Sequence, residues 1–400
     1  MEVAERLELI RRLCSFEGRR TGTDAERRAA NDLAQRLRAG GRRVDVEPTY
    51  VHPQWALVHA AHCALAIAGG LVALEWPVIG FVVVLLTAVS MYLDLNGRFY
   101  LLRRLFFRRV SQNVVTRGTG ADAPARVILC AHYDTAQTGR AYDPGPSGFM
   151  ARLQRRIPLP IGPFRFLFWS VALLLPVVGA RMAGIEDDWV SVLQLLPTLV
   201  LMLGAFLLVD IALSGVSPGA DDNASGVATA ISIAEELESD PPANLDVWVL
   251  LTGGEECLQE GMRSFLREHR DELERDSTYF VCLDAVGVGE VRYEAAAGWV
   301  VTFPMDSHLV GLCEAIATTD GDRPRARALR DGYGGDGVLA RTRRYRATTI
   351  TCLPPEGHVP GRHTHLDVPD RVEPEALERA HGFALDLVRL LDRDVGRRGR

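Results

Sequence analysis

Lysine is missing altogether: all 45 basic residues of this 400-residue chain are arginine, which points to a coding bias rather than to a function. Cysteine is sparse. The seven present are odd in number, scattered and never spaced as C-x-x-C, so neither a disulfide framework nor a thiolate metal site is expected, and a reducing compartment is the simpler reading. A basic stripe interleaved with aromatics is absent as well. With a net charge of -6, that excludes a dedicated nucleic-acid binder. The amino terminus is charged and lacks an apolar core region, so no cleavable signal peptide is expected.

Charge is also missing from four stretches: Ala56 to Leu74, Trp76 to Leu93, Phe166 to Ala180 and Trp189 to Val209 contain no Asp, Glu, Lys or Arg. They explain why mean hydropathy reaches +0.04 in a chain that is 24% charged. A helix needs about twenty apolar residues to cross a bilayer. The third stretch approaches that length by extending to Gly184. Short connectors, around Glu75 to Pro77 and at Arg181 to Asp188, join the stretches in pairs, which predicts two transmembrane hairpins. Arg98, Arg103, Arg104, Arg108 and Arg109 follow the second stretch, and Arg152, Arg155, Arg156 and Arg165 precede the third. The tips carry Glu75, Glu186, Asp187 and Asp188, with Arg181 their only basic residue. The positive-inside rule then predicts an integral membrane protein of four spans, with outward tips and both termini and the catalytic domain on the cytoplasmic side.

The remainder alternates helix and strand. Helices are expected from Glu2 to Leu13, from a cap at Asp24 to Arg38, and from Pro374 to about Leu391. Strands are expected at Val44 to Glu47, Asn113 to Thr116, Val127 to Ala131, Val247 to Leu251 and Phe280 to Leu283. The fold class is α/β: a three-layer α/β/α domain with a mostly parallel or mixed sheet. Residues 1–54, 98–160 and 213–392 form this discontinuous domain, the hairpins occupy 55–97 and 161–212, and 393–400 is a disordered basic tail.

Acids and histidines cluster where these strands end, the edge at which open α/β sheets place their chemistry. His132 and Asp134 follow one apolar run, in AHYDT; the imidazole can ligate a metal while the carboxylate orients its ring. Glu255 and Glu256 follow another, in TGGEEC, where neighbouring side chains diverge, so one can bind metal while the other takes a proton from water. Asp284 ends FVCLD, an expensive place for an unpaired acid. In GADDNASG, Asp221 and Asp222 precede a helix whose start favours ionised carboxylates. RHTHLD offers His363 and His365, which composition does not separate. Metal ions are what would hold so much negative charge together.

The ordered set H-x-D, D-N-x-S-G, E-E, strand-end D and H-T-x-x-D resembles the co-catalytic dizinc aminopeptidases of metallopeptidase clan MH, peptidase family twenty-eight, relatives of glutamate carboxypeptidase and glutaminyl cyclase. The amino-terminal FEGRRTGTDAERRAANDLAQRLRAGG is similar to that family's opening helix, whereas the apolar hairpins have no counterpart. The resemblance implies two zinc ions. His132 and Asp284 would serve the first, Glu256 and His363 the second, and Asp222 would bridge them through a cis Asp222–Asn223 peptide. Glu255 would be the general base and Asp134 the partner of His132. Asp221 and His365 become neighbours, Asp367 supports the site from behind, and Asp336 in GGDG resembles an acid near the substrate region. One departure is CLQEG after Glu256, where the family has a short G-L-x-G run. Another is the hairpin inserted between His132 and Asp222, which puts the site close to the membrane face.

The implied function is a membrane-anchored zinc exopeptidase, an aminopeptidase, with a peptide substrate and membrane lipid as partners and no nucleic acid. Three rivals are a glutaminyl cyclase-like acyltransferase with one zinc, an inactive membrane scaffold, and a transporter. The intact acid set argues against the scaffold, and spans without an ion-coupling acid other than Asp210 argue against the transporter.

Overall fold

A computed structural model gives the fold, described here for residues 1–118, 123–156, 160–185, 187–317 and 325–398. Glu186, expected at a hairpin tip, lies outside them. The strands are β1 (Val44–Val51), β2 (Arg109–Thr116), β3 (Ala125–His132), β4 (Leu245–Thr252), β5 (Thr278–Leu283), β6 (Glu290–Ala297), β7 (Phe303–Pro304), β8 (Arg327–Arg330) and β9 (Arg346–Leu353). They form one mixed sheet in the order β1-β2-β4-β3-β5-β9-β6-β7, with β8 beside β6. The central strands β4, β3, β5 and β9 are parallel, so their carboxyl ends share one edge. Strands β2 and β6 flank them antiparallel.

Helices α1 (Val3–Cys14) and α2 (Asp24–Ala39) precede β1; α3 (Trp55–Val72) and α4 (Pro77–Leu95) follow it. After β3 come α5 (Pro144–Arg156), α6 (Pro163–Met182), α7 (Asp188–Leu213) and α8 (Gly226–Ser239). The remainder are α9 (Glu260–Glu268), α10 (Ser307–Ala317), α11 (Asp336–Thr342) and α12 (Pro374–Arg398). Alternation along β3 builds the layers: Val127, Leu129 and Ala131 join α1, α2, α8, α10 and α12 on one face, while Ile128 and Cys130 join α9 and α11 on the other. That is the three-layer α/β/α arrangement.

Three local expectations are corrected. The cap of α2 is Thr23, whose hydroxyl accepts from the Glu26 amide, and Asp24 is instead the first helical residue, paired with Arg27 and Arg28. Strand β1 runs past Glu47 to Val51 because all eight of its residues pair with β2. The basic tail is helical through Arg398 rather than disordered: Asp394 bridges Arg398 one turn on and His308 across the fold, and Arg397 and Arg398 suit the negative end of the helix. Residues 399–400 lie outside the described part.

Helices α3, α4, α6 and α7 are long and apolar enough to cross a membrane. They pack on one another as α3 on α4 and α7, and α6 on α4 and α7, with their outer faces carrying exposed Trp76, Leu86, Leu196 and Leu203. Helix α4 includes one acid, Asp94, fully buried and gripped by Arg103 at 2.6 and 2.9 Å. The same arginine donates to the Cys257 carbonyl at 2.9 Å and to Glu260 at 2.8 Å, which ties the helix pair to the loop after β4.

Candidate metal centre

The parallel register decides where the side chains meet. Cys130 of β3 pairs with Leu250 of β4 and with Cys282 of β5, so His132, the Glu255–Glu256 loop and Asp284 all emerge at one edge. Opposite them, the Ala220–Ser225 segment is kinked at Asp222 and Asn223, and the Asp222–Asn223 peptide is cis. Asn223 locks this segment to β5: its amide donates to the Leu283 carbonyl at 2.9 Å, and its oxygen accepts from the amides of Gly226 and Ala285 at 3.0 Å. A Cβ at Gly226 would stand 2.2 Å from that oxygen, so only glycine starts α8 this close.

Three overlapping groups could each hold an ion: His132, Asp222 and Asp284; Asp222, Glu256 and His363; and His132, Glu255 and Glu256. His132 Nε2 lies 3.1 Å from Asp222 Oδ1 and 3.9 Å from Asp284 Oδ1. His363 Nε2 lies 2.9 Å from Asp222 Oδ2 and 3.6 Å from Glu256 Oε1. Asp222 therefore offers one oxygen to each side. Asp221 instead turns away to accept the Gly287 amide at 2.7 Å, and His365 is exposed.

Behind these groups, Asp134 is wholly buried. Its carboxylate accepts the Thr21 hydroxyl at 2.6 Å and the amides of Glu255 and Glu256 at 3.1 and 3.2 Å, and stands 3.6 Å from His132 Nδ1. Asp367 plays the matching part opposite, accepting the amides of Asp221 and Asp222 at 2.7 and 3.1 Å. Asp336 is buried against the Thr252 hydroxyl at 2.6 Å.

The electrostatics call for cations. Burial pushes Glu255 and Glu256 well above the usual carboxylate range, and the charge on Asp222 drives Glu256 further. Burial also lifts Asp221 to about 8 and Asp336 and Asp367 to about 6. His132 is pushed down by burial, yet Asp134, Asp222 and Asp284 outweigh this and hold it well above its usual value. Burial likewise opposes ionised Asp222, but His132 and His363 hold it well below the usual range. Glu256 Oε1 has no hydrogen-bond donor, and imidazole with carboxylate oxygen is the donor set zinc accepts. The residues fit the ion.

Side chains that sequence reasoning did not single out complete the site. Gln259 donates from Nε2 to Glu255 Oε1 at 2.8 Å and accepts from Trp299 Nε1 at 3.3 Å. Tyr142 meets the His363 ring edge-on at 4.7 Å, and Arg362 lies 3.8 Å from Asp222. The departure at CLQEG was the one available signal, and Gln259 sits within it.

Residues 206–388 match the family model described as peptidase family M28. That segment, just under half of the chain, and the fold together support a metallopeptidase hydrolase. Solved structures show the same fold. A Zn-dependent exopeptidase from Parabacteroides distasonis is 13% identical with a TM-score of 0.56, and a leucine aminopeptidase precursor from Bacteroides thetaiotaomicron is 15% identical with 0.56; 97% of each chain is covered in both pairs. A glutaminyl cyclase from Bacteroides thetaiotaomicron is 14% identical at a TM-score of 0.55, again over 97% of both chains. Curated proteins give no match by sequence.

Proposed function

We propose that this chain is a membrane-anchored, zinc-dependent aminopeptidase of the M28 family with two ions, held by His132, Asp222, Glu256, Asp284 and His363, and with Glu255 as general base. The observation that carries the reading is Asp222, whose two oxygens face His132 and His363 on opposite sides at 3.1 and 2.9 Å. Bound zinc supplies Lewis-acid polarisation of the scissile carbonyl and acidity to a water molecule. The chain's own residues do the rest. Gln259 occupies Oε1 of Glu255, which leaves Oε2 as the atom that takes the proton from the attacking water and returns it to the leaving amine. The Asp134 backbone carbonyl, 3.1 Å from His132 Nδ1, fixes that ring, and its carboxylate fixes the backbone of both glutamates. Trp299 orients Gln259 and packs at 5.3 Å against Phe164 of α6, which closes the base off from bulk water on that side.

The membrane reading rests on the uncharged stretches and on the exposed apolar outer faces of α3, α4, α6 and α7. The arginines at their bases put the hydrolase domain on the cytoplasmic side. Glutaminyl cyclisation is a second reading, favoured by the fold shared with the cyclase. It needs one ion, and the presence of both His132 and Asp284 beside Asp222 favours two.

The test compares purified protein in detergent on peptides with free and with blocked amino termini, and on a peptide beginning with glutamine. Release of the first residue from free termini alone supports the proposal; pyroglutamate formation without hydrolysis replaces it with the cyclase. Glu255→Gln should lose turnover by about 10²–10⁴-fold while retaining zinc, as expected for a general base.

A further inference from the structure

The first turn of chain after α1 forms a second feature, on the far side of Thr21 from the candidate metal centre. A pocket of about 150 Å³ opens where the loop before α2 meets the start of α3 and the end of α7. Its polar wall is Arg20, Arg109 and Gln54, and its apolar wall Leu57, Ala212 and Phe107. Neither arginine enters an ion pair among the described residues; each spends one nitrogen on a carbonyl, Arg20 on Pro53 at 2.9 Å and Arg109 on Gly22 at 3.4 Å. Two like charges are thus held together without an acid. Burial pulls the Arg20 guanidinium below its usual value, and neighbouring Arg109 adds to that. The approach is built in: Gly22 has φ +74, and a Cβ there would stand 2.7 Å from Cβ of Arg109.

We infer that this pocket binds the phosphate of an anionic phospholipid. A phosphodiester presents several acceptor oxygens to two guanidinium forks, which is the geometry arginine suits best. A free phosphate shares that chemistry, but the surroundings favour the lipid. The wall contains residues from the feet of both apolar helix pairs and includes Phe107, 51% exposed; Leu105, two residues earlier in the chain, is 80% exposed. Acyl chains leaving the phosphate would run along that apolar side. Thr21, which also lines the pocket, donates its hydroxyl to Asp134 at 2.6 Å, so the lipid site and the metal centre share a wall.

The inference rests on the membrane-spanning reading but not on the peptidase chemistry. Its test is the full-length chain reconstituted in nanodiscs of equal phosphatidylcholine and phosphatidylglycerol, then released into detergent, with retained lipid counted by native mass spectrometry. Wild type should keep one phosphatidylglycerol, and Arg20→Gln and Arg109→Gln should each bind it about fivefold more weakly, the worth of one arginine near a lipid surface. Arg152→Gln, in α5 and outside the pocket, should not change it. Equal retention by wild type and both pocket variants, or phosphatidylcholine kept as well as phosphatidylglycerol, would overturn the inference. Displacement by millimolar inorganic phosphate would overturn the lipid as occupant in favour of a soluble anion. Failure to enter the disc would instead sink the membrane reading, and none of these readouts requires zinc or substrate.

Discussion

Asp134→Asn changes one atom in the most connected buried carboxylate of the site. The carboxylate accepts three donors: the Thr21 hydroxyl on Oδ2, the Glu255 amide on Oδ1 and the Glu256 amide on Oδ2. An asparagine NH2 in place of Oδ2 lets the Thr21 hydroxyl reverse and accept, but the Glu256 N–H then faces another donor. If the amide is flipped, the Glu255 N–H is the one left facing it. Either way one buried amide loses its acceptor, at a cost of about 1–3 kcal/mol. The loss falls on the backbone that carries Glu255 and Glu256, so it appears chiefly in metal affinity. Removing such an outer partner typically weakens binding about 10–100-fold. Competition with a chromophoric chelator measures this on purified protein without any substrate. Zinc affinity within twofold of wild type would refute the claim that Asp134 organises the centre.

Gln259→Leu leaves Glu255 Oε1 without its donor, so kcat should fall about tenfold while KM and zinc content hold, the worth of one hydrogen bond to a charged group; a change in KM alone would contradict it. His269 lies 2.9 Å from Glu272 and 3.0 Å from Glu47, and although burial opposes its charge, the two carboxylates raise it above the usual imidazole value of 6.5. A group raised on folding stabilises fully below its unfolded pKa and loses that contribution as pH rises through the folded one. Denaturation of wild type against His269→Gln should therefore give its largest difference below about pH 6.5 and a shrinking one above; a gap that widens with pH would be inconsistent with the pairing.

The elements carrying the site are legible in sequence because the apolar runs before His132, Glu255 and Asp284 are buried strands, and parallel pairing then forces their ends together. The kink that separates Asp222 from Asp221 is not legible that way, since it depends on Asn223 reaching β5 some sixty residues on. Thr21 and Gln259 were overlooked for similar reasons. Thr21 meets Asp134 across 113 residues, and a glutamine between two acids reads as surface until the loop after β4 curls it back onto Glu255. Helix ends were read least well: Thr23 and Asp24 are both good caps by type, and the contacts of Asp394 that extend α12 are tertiary. Strands β6 and β8 carry interspersed arginines and two glutamates, which hid them from hydropathy.

Metal analysis of the purified chain by plasma mass spectrometry addresses the paired centre without intermediaries. The account predicts two zinc ions per chain in wild type, two in Glu255→Gln, and fewer than two in Asp222→Ala, whose oxygens face both halves. A wild-type chain that binds one zinc or none after saturation, or an Asp222→Ala chain that still binds two, would contradict it.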